Sequence, residues 1–286
     1  MNTSPGRLPF TMKIEAEPQH CVQQAEEVRA ALNEARELLL SRPQRRQELE
    51  VEIARLEGKQ SFWQKLSFGL YAPFQEQLKK LREELAELQA PEADLLLLRL
   101  KVRTKYALGE IWEFVNAAFQ QYAASEALFL VDKEEGQLGK QMELFPISAS
   151  VFAPSRLDIH PYPLSLNLPG VLISFCALGV FLEPEGKELQ FLTWAAVSLL
   201  YSEEPFRSKQ QYEDSPLLFQ TWEYTTAEGQ PDPNLPAEEN PKVFVHRLGR
   251  LELSIGQNDW VLLNSNYEAG LQLEAELKRL KAQFED

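Results

Sequence analysis

Apolar positions recur at two different periods along this chain, and the change of period divides it. Over residues 15–89 they return every three to four positions. Val28, Leu32, Ala35 and Leu39 step by 4, 3 and 4, and Leu49, Ile53 and Leu56 step by 4 and 3 beyond Pro43. Phe74, Leu78, Leu81, Leu85 and Leu88 repeat 4, 3, 4, 3, with Lys79, Lys80, Arg82, Glu83, Glu84 and Glu87 between them. Spacing of this kind keeps one leucine-lined stripe toward a partner and the charges in water, so it predicts coiled-coil helices. Gly58, Gly69 and Pro73 interrupt it, which makes an antiparallel helical hairpin with its connection at residues 58–73 the expected construction.

A broader, more aromatic stripe follows: Leu95, Leu98, Val102, Tyr106, Trp112, Val115, Phe119 and Tyr122. It predicts a long junction helix over 93–124 with a wide face to bury. From 127 to 263 β-branched and aromatic runs are separated by Gly, Pro, Asn and Asp, the signature of strands and turns. Leu251–Ile255, Gly256–Asp259 and Trp260–Leu263 read as a β-hairpin with a four-residue loop. Residues 223–241, rich in proline and acids, read as an extended surface loop. Leu271, Leu277, Leu280 and Phe284, behind the polar starters Asn264, Ser265 and Asn266, predict a C-terminal capping helix. The expected fold class is therefore α+β, with a flexible arm at 1–14, the hairpin and junction helix at 15–126, and a β-rich domain at 127–286.

Composition changes this picture only in what it excludes. The 286 residues are 44% apolar and 25% charged, an ordinary globular mixture. Net charge is −14, and residues 128–286 hold 12 basic and 24 acidic side chains against 17 and 19 in the part before them. That balance opposes bulk nucleic-acid binding. Cys21 and Cys176 stand far apart without metal-ligand spacing, which predicts reduced thiols, a cytoplasmic location and no zinc or other metal site. The start of the chain has no apolar segment of signal-peptide type. Glu183, Glu185, Lys187 and Glu188 split the apolar stretch Leu168–Tyr201 into runs shorter than the ~20 residues a spanning helix needs, so buried strands around a turn are expected there.

No phosphate loop, nucleophile elbow, HExxH or EF-hand pattern is present. Asp158 and His160, two positions apart on an extended segment, would share one side of a strand and are the candidate catalytic pair. With Glu185-Gly186-Lys187 they supply the residue types of a metal-dependent hydrolase or nuclease. His20 reads as a surface residue, and His246, alternating with Val243 and Val245, is expected to face solvent or a partner. Arg99, Lys101, Arg103 and Lys105, placed on the junction helix, would turn about 200° per step and scatter around it, which weighs against a basic groove. The sharpest feature is the hairpin connection, where Phe62, Trp63, Leu66, Phe68 and Tyr71 gather large apolar groups at a position that is usually polar. These are the candidate partner-binding residues, with contact to a membrane surface as the competing use. The resulting expectation is a non-enzymatic cytosolic adaptor or assembly component without a cofactor. It would bind a protein partner through the hairpin and the acidic β-rich domain, or self-associate through the same seams.

Overall fold

The structure is a computed structural model that describes residues 9–65, 72–89, 97–135, 141–226, 229–236 and 238–285. The chain is of mixed helix and strand, with a long N-terminal helix and three β-sheets among the described residues. It forms two units. One comprises Met1–Met12, Ala30–Leu100 and Ser155–Asp158, and the other Lys13–Arg29, Lys101–Pro154 and Ile159–Asp286.

Helix α1 spans Cys21–Lys65 and α2 spans Ala72–Leu88. In the first unit side chains of the two helices meet. Arg42 donates to the Glu87 carbonyl at 2.9 Å, Arg45 pairs with Glu84 at 2.9 Å, and Arg82 pairs with Glu57 further along. Between them Ile53, Leu56 and Leu78 are buried, with Leu81 and Leu85 packed alongside. The leucine stripe is thus covered from within the chain. The helix runs on through Gly58 to Lys65, past the point where the sequence expects the connection to begin. A single glycine costs a helix only ~1 kcal/mol, so it is a weak stop signal. Residues 66–71 of that connection lie outside the described residues.

The chain departs from the expected elements on both sides of this pair. Phe10–Ala16, part of which is expected in a loose arm, is strand β1, with Phe10, Met12, Ile14 and Ala16 buried and Lys13 and Glu15 exposed. Leu98–Thr104, expected as the first part of the junction helix, is strand β2, with Leu98, Leu100 and Val102 buried beneath Arg99, Lys101 and Arg103. Leu98 and Val102 are four apart, an interval that suits either period. The strict alternation between them belongs to a strand. Helix α3 then occupies only Tyr106–Ala123, where Leu108, Ile111, Trp112, Val115, Phe119 and Tyr122 form the buried face.

Strands β1 and β2 are neighbours in a three-stranded sheet of order β1-β2-β6, in which β6 is Leu157–His160. The Phe10 amide donates to the Leu97 carbonyl at one end and the Lys105 amide to the Ala16 carbonyl at the other, so β1 and β2 run parallel.

The second unit carries two antiparallel sheets. One has the order β10-β9-β8-β7-β5, formed by Gln190–Thr193, Gly179–Pro184, Val171–Cys176, Leu164–Leu168 and Ser148–Val151. The buried strands expected in 168–201 are here, and Gly186, at φ +67°, makes the turn between β9 and β10. The other sheet has the order β11-β13-β14-β3-β4: Val197–Ser208, Lys242–Ile255, Asn258–Asn264, Leu128–Glu135 and Gln141–Pro146. Strand β12, Leu217–Trp222, pairs with the first part of β13. The hairpin expected at 251–263 is β13–β14, tightened to a two-residue loop because Ile255 pairs directly with Asn258, with Gly256 at φ +63°. Residues Glu223–Pro241 form the excursion between β12 and β13, closed by the Glu223 amide on the Pro241 carbonyl.

Helix α4, Tyr267–Lys281, packs on β11, β13 and α3. The Asn266 side chain caps it by accepting from the Ala269 amide at 3.1 Å. Its buried face is Leu273, Leu277, Leu280 and then Phe284; Leu271, expected on that face, is exposed. A seat for Tyr201 of β11 fixes how closely helix and sheet approach. A Cβ added at Gly249 or Gly270 would fall 1.5 or 2.1 Å from the Tyr201 hydroxyl, so only glycine fits at either position.

Candidate functional site

The basic residues of β2 and the candidate pair on β6 belong to the same sheet. On β6 the alternation holds, since Leu157 and Ile159 are buried while Asp158 and His160 turn outward. Asp158 accepts a hydrogen bond from Arg99 at 2.7 Å, which commits its carboxylate to an ion pair. The His160 ring lies 5.2 Å from that of Tyr162. Glu185 and Lys187 flank the Gly186 turn between β9 and β10 rather than sitting on a strand interior.

His160 instead lines a groove of about 510 Å³ in the second unit, together with Lys13, Ile14, Glu15, Lys101, Val102, Arg103 and Pro161. The strands set this arrangement. With Ile14 and Val102 buried on the inner face, Lys13, Lys101 and Arg103 must all point to the outer one. The two-residue spacing that would scatter these side chains on a helix aligns them on a strand. Sequence reasoning missed the groove for that reason; the signal was the alternation in 10–16 and 98–104.

Charge in the groove is unevenly compensated. Glu15 is held by Lys105, which also reaches Glu17 at 3.5 Å. The Lys105 hydrogen bond and charge, with the Arg103 charge beyond it, lower the Glu15 carboxyl below its ordinary value. The same hydrogen bond raises the Lys105 ammonium. Lys13 and Lys101 make no ion pair among the described residues.

Elsewhere the polar groups serve structure. His246, expected to face outward, is fully buried. Its strand is covered on both faces, and the imidazole lies 5.2 Å from the Tyr212 ring. The Tyr212 amide donates to Nε2 at 3.5 Å. Ser265 donates to Asp214 at 2.9 Å, and Asp214 also accepts from the Glu126 amide at 2.8 Å. Cys21 donates to the Gln283 carbonyl, and burial raises its thiol. Burial also pushes the Cys176 thiol up to about 11, so both sulfurs are held as poor nucleophiles. No group of three or more His, Cys, Asp or Glu side chains is arranged to hold a metal ion among the described residues.

The candidate partner-binding residues belong to the end of α1 and the connection that follows it in the sequence. Phe62 and Trp63 fall on the last turns of α1, with side chains outside the described set, and Leu66, Phe68 and Tyr71 lie outside the described residues altogether. Among the described residues no helix is long and apolar enough to cross a membrane.

No family model, curated protein or solved structure matches this chain.

Proposed function

We propose that this chain is a non-enzymatic binding and assembly component that works in the cytoplasm. In this reading α1 and α2 form an antiparallel hairpin of coiled-coil type. The hairpin and its aromatic connection engage a protein partner, and the acidic β-rich unit supplies a second docking surface.

One observation carries the reading. The repeating stripe of α1 and α2 is closed within the chain, with Leu56 and Leu78 only 3% exposed. A helix pair that satisfies its own seam stands as an independent rod, and α1, at ~1.5 Å per residue, is long for a chain of this size. Its outward surface is lined with charged pairs such as Arg46–Glu50 and Lys80–Glu76, which keep it soluble and contribute little to stability. The connecting segment is then the place for recognition. Phe62, Trp63, Leu66, Phe68 and Tyr71 are the residue types that anchor interfaces or insert into grooves.

The test shortens the pair in the full chain. Arg45–Glu84 are excised and replaced by a short Gly-Ser linker, and intact and shortened proteins are compared by cross-linking in the cells that make them. The expected result is loss of a defined protein partner from the shortened chain, and from a Phe62→Ser, Trp63→Ser variant, while the melting transition of the β-rich unit stays in place. Undiminished partner cross-linking by both variants overturns the proposal.

A further inference from the structure

The groove on the outer face of β1, β2 and β6 brings Lys13, Lys101, Arg103 and His160 to one surface, each from a strand. Neighbouring strands lie about 4.8 Å apart, and like charges placed side by side across a sheet destabilise it. A protein with a net charge of −14 has carboxylates in excess, yet among the described residues that line the groove Glu15 is the one acid, and Lys105 holds it, while Asp158 on the same face is held by Arg99. A cluster in which Lys13 and Lys101 make no ion pair among the described residues favours a bound anion, which would remove the repulsion and accept several charge-assisted hydrogen bonds.

We propose that this groove binds the phosphate group of a small organic phosphate ester. Lys13 and Lys101 approach the oxygens from adjacent strands, and Arg103 offers a planar donor fork from the same strand as Lys101. Pro161 and the exposed Tyr162 ring, set against His160, give the organic part an apolar wall. A duplex nucleic acid fits less well. It would bring many phosphates toward an acidic molecule, whereas a single dianion feels mainly charges within a Debye length of ~8 Å.

The test uses the full-length protein at low ionic strength with three probes: phenyl phosphate, inorganic phosphate, and vesicles containing phosphatidic acid. Saturable phenyl phosphate binding is expected by calorimetry, weaker for inorganic phosphate, and reduced at least about tenfold in a Lys13→Gln, Lys101→Gln variant. Both positions are exposed, so the fold should survive. Without ligand the variant should melt at the same temperature as the parent or higher, because the repulsion is gone. With phenyl phosphate the parent should rise in melting temperature and the variant should not. Absence of saturable phenyl phosphate binding, equal binding by the variant, or binding to the vesicles alone overturns the proposal.

Discussion

Tyr201 shows how much of this molecule depends on single atoms. Its hydroxyl lies 3.0 Å from Asn264 Oδ1 and 2.9 Å from the Tyr267 carbonyl, in a slot that exists because Gly249 and Gly270 lack a Cβ. A Gly270→Ala substitution drives the new methyl into the ring and should destabilise the second unit by about 2 kcal/mol or more. Tyr201→Phe removes only the hydroxyl and should cost about 1 kcal/mol. Chemical denaturation of both variants checks the order, and a more stable Gly270→Ala protein would contradict it. At Glu15 the issue is charge. Its carboxyl is lowered by Lys105, so the contribution is present above the ordinary value of 4.5 and is lost as pH falls through the lower, folded value. The melting-temperature gap between the parent and Glu15→Gln should therefore be open at pH 7 and close in acid below 4.5. A gap that widens in acid would reverse that assignment. Neither residue stood out in the sequence, since a tyrosine seat and a cross-strand lysine are made by distant parts of the chain. Asn240 is a further case: its amide pairs with both backbone groups of Tyr224, 2.8 Å each way, and holds the excursion closed from inside.

Among the elements, those legible in advance were those whose pattern admitted one period. The α1 and α2 stripes, the helical face of α3 from Trp112 onward, the hairpin β13–β14 and α4 all read correctly as to type. The failures were short segments where two periods overlap. Leu98 and Val102 satisfied a helical stripe, and most of Phe10–Ala16 fell within the flexible arm expected at 1–14, so neither segment read as part of the sheet that tertiary pairing builds. That error alone hid the basic groove. The α1–α2 seam also fixes which substitutions matter there. Leu56→Ala or Leu78→Ala should cost about 2–4 kcal/mol and lower helical signal, because each side chain is buried between the helices. Arg45→Ala, which breaks an exposed pair with Glu84, should cost less than about 1 kcal/mol. Urea unfolding monitored by circular dichroism separates the two, and equal losses would mean the ion pairs rather than the leucines hold the helices.

For the whole molecule, the parallel pairing of β1 and β2 matters beyond the groove that lies on them. Because the two strands are parallel, the stretch from Glu17 to Leu97 leaves at the C-terminal end of β1 and re-enters at the opposite end of the pair, where β2 begins, as a crossover connection. Loop closure grows only with the logarithm of length, and lengthening or trimming the insert by whole turns leaves strand pairing untouched. The crossover can accordingly gain or lose matched turns in its helices while the same two strands stay paired, provided it still reaches from one end of the pair to the other.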